Sequence, residues 1–158
     1  MSINAVVAAL YVALTMISYP IAFGMIQVRV AEALVLLCFF RRDYIVGLTL
    51  GCLIANCFSF SPFDILFGTM ATLISCIGVA FMKNLLLASV IPVVVNGFVV
   101  GAELYFILEE PFWLSVGFVA LGEAIAIMVL GYTIFMIFGR KKYFQNLISA
   151  NQNLDFKW

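Results

Sequence analysis

A small set of charged and amide side chains interrupts the apolar segments of this chain. An ionisable group inside a membrane-spanning helix costs roughly 2.5 to 3.5 kcal/mol on insertion scales, so such a group normally faces a cavity or a partner. Carboxylates and amides can bind the N–H donors and carbonyl acceptors of a polar ligand, and an arginine can pair with an acid. The residues that we expect to bind a ligand are Arg29, Glu32, Asn56, Asp64, Asn96, Glu103 and Glu123.

Each of these residues also has a purely structural interpretation. Arg29 and Glu32 lie three positions apart and could pair with each other or cap a helix. Glu103 and Glu123 could each form a hydrogen bond between helices as a protonated acid, and an asparagine amide can likewise join two helices. The residue types alone leave both interpretations open.

The composition predicts the class of protein that positions these groups. Of 158 residues, 66% are hydrophobic and only 10% are charged, and the mean hydropathy is +1.20, which is far outside the range of a soluble domain. Eight basic residues balance eight acidic ones, so no basic surface indicates a nucleic-acid partner. We therefore predict an all-α integral membrane protein, in contact with lipid.

Several residue types that enzymes use are missing or scattered. The chain has no histidine and no GxxxxGK[ST] phosphate-binding loop, so we expect neither a histidine-based catalytic site nor ATP hydrolysis. The cysteines match neither a zinc template nor a disulfide framework and are typical of small buried hydrophobic residues. They are Cys38, Cys52, Cys57 and Cys76. We accordingly predict no catalytic residue, no metal site and no cofactor.

Six apolar segments alternate with short polar connections. They cover residues 3–23, 30–40, 44–60, 63–82, 85–108 and 112–138. About 20 residues are needed to cross a bilayer as a helix, so the second and third segments are short, and residues 30–40 would reach only about 16 Å as an α-helix. We predict a six-helix transmembrane domain over residues 1–142 and a short interfacial or loose tail over residues 143–158.

The basic residues predict how the segments are oriented. Arg29 lies at the edge of the first connection, on the opposite side, whereas the basic residues that follow the second, fourth and sixth segments share one side. They are Arg41, Arg42, Lys83, Arg140, Lys141 and Lys142. The positive-inside rule makes this side cytoplasmic, with both termini inside. The candidate ligand-binding residues then cluster in the outer half of the membrane, and Glu109 and Glu110 are typical of a solvated outer loop.

Small residues at intervals of four indicate where helices pack. The first segment carries Ala5, Ala9 and Ala13 on one helical face. Such a face lets another helix approach closely in lipid. Gly47 with Gly51, and Gly97 with Gly101, form GxxxG pairs that could pack the fold internally. The alanine face could take part in internal packing or dock another protein.

Three blocks of the sequence resemble the queuosine-precursor transporter (QueT) family. They are FGMIQVRVAEALVLLCFF, GLTLGCLIANCFSFSPFDILFGTMATLIS and IPVVVNGFVVGAEL. The likeness covers nearly all six segments, and the patterns IQxRxxEAL, GCLIAN and FDxxFGTxATL are specific in combination. Members of this family are substrate-binding S components of energy-coupling-factor (ECF) vitamin transporters.

The resemblance implies an S-component-like bundle that captures a scarce micronutrient outside the cell and delivers it by toppling in the membrane. It implies a transmembrane coupling protein and two cytoplasmic ATPases as partners, and it assigns the alanine face to the contact with the coupling protein. The implied ligand is a 7-deazaguanine such as queuine or preQ1, whose donor groups would suit the carboxylates. The FSFSPFD loop departs from the family in a way that could alter the preferred ligand.

Other functions fit the same residues. An S component for another micronutrient would keep the fold and the alanine face but bind a different ligand. A small proton-coupled secondary carrier could use Glu103 or Glu123 as its titrating site, and a structural subunit would bind no ligand. Dependence of uptake on ATP and partner proteins separates the S component from the carrier, and ligand binding separates both from the structural subunit.

Overall fold

The computed structural model describes residues 3–22 and 27–156, and every regular element in these ranges is helical. The α-helices are α1 (Ile3–Ile17), α2 (Tyr19–Ala22), α3 (Leu37–Phe40), α4 (Tyr44–Asn56), α5 (Phe67–Ala80), α6 (Leu85–Leu108), α7 (Phe112–Glu123), α8 (Tyr132–Phe138) and α9 (Lys142–Leu147). Two 3₁₀ segments, Val30–Leu36 and Pro62–Ile65, and one π-helical segment, Ala124–Gly131, connect them. The all-α prediction is confirmed for these residues, whereas Phe23, which ends the first predicted segment, lies outside them.

Apolar helices of membrane-spanning length are present in the described ranges. Three stretches are long enough to cross a bilayer: Pro62–Ala80, Leu85–Leu108 and Phe112–Phe138. Three apolar helices are shorter: Ile3–Ile17, Val30–Phe40 and Tyr44–Asn56. All six fall within or close to the predicted segments. A membrane protein is thus supported, and six spans with cytoplasmic termini stay a prediction.

The third predicted segment ends earlier than expected. Helix α4 stops at Asn56, and residues 57–61 form a turn. A new helical segment then begins, because the Ser61 hydroxyl accepts a hydrogen bond from the Phe63 amide (3.3 Å) and Pro62 occupies a first-turn position. Because the turn contains the hydrophobic residues Phe58 and Phe60, the hydropathy pattern did not show that α4 ends at Asn56.

The second segment extends farther than an α-helix of the same length. Val30–Leu36 is a 3₁₀ helix of 7 residues, and only the 4 residues Leu37–Phe40 are α-helical. A 3₁₀ helix rises about 2.0 Å per residue and an α-helix about 1.5 Å. The segment therefore reaches about 20 Å, which corrects the shorter length expected for an α-helix.

The GxxxG pairs pack helices inside the fold, as predicted. A Cβ atom on Gly51 of α4 would lie 2.9 Å from Tyr11 Cβ and 3.0 Å from the Ala8 carbonyl oxygen on α1. A Cβ atom on Gly101 of α6 would lie 2.6 Å from Val116 Cγ2 on α7. The glycines one turn earlier face the same two helices. Because glycine has no side chain, α4 can approach α1 closely and α6 can approach α7 closely.

Charged residues distinguish the two ends of the bundle. Helices α4 and α6 begin at one end, and α5 and α7 run in the opposite direction. We call the end that carries Arg41, Arg42 and Lys83 the basic end. The opposite end carries Asp64, Glu109 and Glu110, and we call it the acidic end.

Residues 148–156, which we call the cap segment, pack against the basic end. The Gln152 side-chain amide donates to the carbonyl oxygens of Cys38, Phe39 and Ala80 at 3.0, 3.1 and 3.3 Å. The Asn153 side-chain amide donates to the same Phe39 carbonyl oxygen and to that of Met82, at 2.7 and 3.0 Å. The last carbonyls of a helix have no partner within the helix. The cap segment supplies donors to α3 and α5, so it is not a loose tail.

Candidate functional site

Arg29 lies at the centre of a buried polar cluster near the acidic end. Its guanidinium donates from Nη1 to Asn56 Oδ1 (3.1 Å) and from Nε to the Ala22 carbonyl oxygen (3.3 Å), and Nη2 lies 3.6 Å from Asp64 Oδ2. Arg29, Asn56 and Asp64 are at most 5% exposed. Arg29 precedes the first 3₁₀ segment without a side-chain capping bond, so the capping interpretation is wrong for this residue.

Asn56 connects the end of α4 to the beginning of the next span. Its Nδ2 donates to the Asp64 carbonyl oxygen (2.9 Å) and to Thr69 Oγ1 (3.3 Å). A Cβ atom on Gly68 would lie 2.9 Å from the same nitrogen, so glycine leaves the space that the amide occupies. Asn56 therefore has the helix-joining role that its residue type allowed, and it also holds Arg29 and Asp64 in place.

The turn after α4 covers this cluster with two serines. The Ser59 hydroxyl donates to Asp64 Oδ2, and the Ser61 hydroxyl donates to Glu103 Oε1 on α6 at 3.2 Å. Both serines belong to the FSFSPFD stretch. This stretch thus supplies direct partners to two of the predicted acids.

Glu32 lies deeper, on the 3₁₀ segment Val30–Leu36, and is 1% exposed. Its Oε1 accepts hydrogen bonds from the Tyr11 hydroxyl on α1 and from Thr72 Oγ1 on α5 (3.1 Å). The sequence prediction missed both donors. Helical spacing could have indicated Tyr11, because Val7, Tyr11 and Thr15 are four residues apart and form the buried face of α1.

Glu123 ends α7 directly before the π-helical segment and is also buried. The Asn96 side chain of α6 lies beside its carboxyl group, and Arg29 and Glu32 are close enough to act on it electrostatically. The π-helical segment packs against the 3₁₀ segment that carries Glu32. Short π-helical stretches often occur at functional sites, and here two irregular segments bring two acids into one neighbourhood.

Among the acids and amides of the predicted site, four buried polar atoms have no hydrogen-bond partner in the described part of the chain. They are Glu32 Oε2, Glu103 Oε2, Glu123 Oε2 and Asn96 Nδ2. Buried polar groups are nearly always paired, and leaving one unpaired costs about 1 to 3 kcal/mol. Three of these atoms accept hydrogen bonds and one donates. A ligand that satisfied them would present mainly N–H donors together with one acceptor.

A cavity of about 200 Å³ opens at the acidic end. Its polar lining comes from Gln27, Ser59, Ser61, Asp64, Glu110 and Ser115, and leucine and phenylalanine side chains form the rest. Asp64 is the one member of the predicted set in this lining. In this lining, Ser61 contacts Glu103 and Asp64 contacts Arg29. Glu103 and Arg29 therefore lie behind the cavity wall. Glu110, which we expected in a solvated loop, is exposed and lines the cavity.

The alanine face of α1 is directed away from the bundle. Ala5, Ala9 and Ala13 are all exposed. The residues of α1 that contact α4 lie on the other face, so internal packing of the alanines is contradicted. Their role in docking a partner stays a prediction.

The cysteines are free thiols with different environments. Cys38, Cys52 and Cys76 are buried, as predicted, but Cys57 is exposed because α4 ends at Asn56. Within residues 3–22 and 27–156, no group of three or more His, Cys, Asp or Glu side chains is arranged to hold a metal ion.

Comparisons with known proteins agree with the predicted resemblance. The family model described as QueT transporter matches residues 1–140. A curated relative, the queuosine precursor transporter QueT of Lactococcus lactis subsp. cremoris (strain MG1363), is 35% identical over 141 residues, which cover 79% of this chain and 83% of the relative. No solved structure gives a significant match. The resemblance inferred from three sequence blocks is confirmed.

Proposed function

This chain belongs to the QueT transporter family, and we propose that it is the substrate-binding S component of an ATP-driven ECF importer. In this role it captures a 7-deazaguanine precursor of queuosine, such as queuine or preQ1, at the acidic end. The name of the Lactococcus relative supports the class of cargo. The site supports a guanine-like edge, which a 7-deazaguanine shares with guanine.

The four unpaired buried atoms carry this proposal. One edge of a 7-deazaguanine presents a ring N–H, an amino group and a carbonyl oxygen. The oxygens of Glu32, Glu103 and Glu123 can accept from the N–H groups, and Asn96 Nδ2 can donate to the carbonyl. A purine with an amino group in place of that carbonyl would leave Asn96 unpaired, which would disfavour its binding.

The proposed entrance for the ligand is the cavity, although none of these four atoms belongs to its lining. It is open at the acidic end and has apolar walls, which suit the faces of a planar ring. Its wall includes Ser61, whose hydroxyl occupies Glu103 Oε1. Glu103 lies behind this wall, so a ligand that reaches its unpaired Oε2 would move the turn formed by residues 57–61.

The proposal includes an orientation of the chain in the membrane and partner proteins that supply the energy for transport. The positive-inside rule places the basic end in the cytoplasm and the acidic end outside, where the cargo is captured. The sequence has no phosphate-binding loop, so two partner ATPases would hydrolyse ATP. The exposed alanine face of α1 suits close packing against a transmembrane coupling protein.

Calorimetry on the purified chain in detergent tests the cargo. Queuine, its aminomethyl and cyano precursors, queuosine and guanine are each titrated into the protein without any partner. We expect sub-micromolar binding of one deazaguanine and rejection of guanine. Folded protein that binds none of them would overturn the assigned cargo and favour an S component for another micronutrient.

A proton-coupled carrier is the second candidate, because Glu103 and Glu123 are buried in apolar helices. Uptake into proteoliposomes separates the two mechanisms. We expect accumulation of the ligand only when the coupling protein, both ATPases and internal ATP are present. Accumulation driven by a proton gradient with this chain alone would establish the carrier instead.

A further inference from the structure

We propose that the cavity at the acidic end holds the 7-substituent of the cargo and that Glu110 binds a primary amine carried on that substituent. The inference rests on the proposed function, which supplies the deazaguanine ring. It adds a binding residue outside the buried cluster and a preference for a cationic substituent.

The position of the unpaired atoms predicts the direction in which the ring enters. Glu32, Glu123 and Asn96 lie deep in the bundle, whereas the cavity opens at the acidic end. If the six-membered ring faces the buried acids, the five-membered ring with its 7-substituent points in the opposite direction. The substituent then lies in the cavity, among hydroxyl, amide and carboxylate groups.

The backbone around Glu110 fixes this residue at the mouth of the cavity. Helix α6 ends with Glu109 in the left-handed region (φ 57°), and the Glu110 amide donates to the Leu104 carbonyl oxygen at 3.3 Å. This arrangement is a helix-terminating turn that reverses the chain direction. Leu104 and Leu108 also line the cavity, so the turn and the cavity wall are one structure.

Glu110 is the carboxylate that remains available for an amine. The other acid in the lining, Asp64, already accepts from Ser59 and faces Arg29. The Glu110 side chain makes no hydrogen bond or ion pair with any residue of the described ranges. A carboxylate in a partly apolar cavity binds an ammonium group by a charge-assisted hydrogen bond.

Paired titrations test the inference on the full chain. Wild type, Glu110→Gln and Glu109→Gln are each titrated with two 7-deazaguanines that differ only at the substituent, one aminomethyl and one cyano. Glu109→Gln is the matched control, because it removes the same charge one residue away from the lining. We expect Glu110→Gln to weaken aminomethyl binding about twofold to fivefold, as for a solvent-exposed charge pair, and to leave cyano binding unchanged.

Several outcomes would count against the inference, and they can be told apart. Equal weakening of both ligands in Glu110→Gln, or no weakening of either, would overturn the role of Glu110 while leaving the proposed cargo intact. Equal weakening of the aminomethyl ligand by Glu109→Gln would show a general effect of charge and overturn the specific contact. Failure of the wild type to bind either ligand while it binds queuine would overturn the inference alone, and failure to bind any deazaguanine would overturn the proposed function itself.

Discussion

The Tyr11 hydroxyl on α1 donates a hydrogen bond to the Glu32 carboxylate in the buried polar cluster. Ala9, two residues earlier, lies on the exposed face of the same helix. Helix α1 therefore contacts the candidate ligand site on one face and presents the proposed docking surface on the other. If a partner shifts α1, it also shifts a donor to Glu32, and any such coupling acts equally in both directions.

Substitution of the buried acids tests their contact with the cargo. Glu103→Gln and Glu123→Gln each remove a charge-assisted hydrogen bond, so we expect each to weaken deazaguanine binding by about 1.5 to 3 kcal/mol. Calorimetry measures the affinities, and Glu109→Gln serves as a control for loss of negative charge. Unchanged affinities in both variants would assign these acids to helix packing.

Ala9→Leu tests the alanine face. The substitution adds a bulky side chain to an exposed helical face, so we expect it to weaken assembly with the coupling protein and to spare ligand binding. Co-purification measures assembly, and calorimetry measures binding. Val129→Leu, an exposed substitution on the π-helical segment, is the control. Full co-purification of Ala9→Leu would remove the docking assignment.

Gly51→Ala tests the packing of α4 on α1. The new Cβ atom would lie 2.9 Å from Tyr11 Cβ and 3.0 Å from a backbone oxygen of Ala8, so we expect the free energy of unfolding to fall by about 1 to 3 kcal/mol. Thermal unfolding in detergent provides the measurement. Gly117→Ala is the matched control, since nothing lies within 4 Å of its new Cβ atom and alanine is the better helix former. Similar melting curves for the two variants would contradict the close approach.

Gln152→Glu tests the cap segment. The substitution keeps the shape but replaces the amide donor with a carboxylate that faces three carbonyl oxygens. We expect the unfolding free energy to fall by about 1 to 3 kcal/mol, because the carbonyls lose their donor and a negative charge lies at helix C-termini. Thermal unfolding again gives the measurement. Asn151→Asp makes the same chemical change on an exposed side chain of this segment, and equal effects of the two substitutions would refute the capping role.

The cost of burial explains which site residues the sequence could reveal. Arg29, Glu32 and Asp64 are unusual in apolar segments, so their residue types alone indicated a cluster, and the structure places them near one another. Tyr11 and Thr72 gave no comparable signal, because hydroxyl groups are common in apolar helices and cost little there. Their role depends on which helices pack together, and a single sequence does not contain that information.

Helix type and long-range contacts were equally hard to predict. The apolar pattern of residues 30–40 located the segment correctly. It could not distinguish a 3₁₀ helix from an α-helix, because residues three positions apart lie on the same face in both. The same limit applies to the π-helical segment after Glu123. The two irregular segments pack against each other, and the pattern of either segment alone does not predict that contact.

The cap segment has a consequence for the order in which the protein is made. Gln152 donates to Cys38 across 114 residues and to Ala80 across 72 residues. During synthesis, these carbonyls emerge from the ribosome long before their donor does, and helices α6 to α8 must be inserted in between. Closing such long loops is slow compared with forming a local helix. The basic end is therefore completed only after the later helices have been inserted, and until then α3 and α5 depend on water or other proteins for those hydrogen bonds.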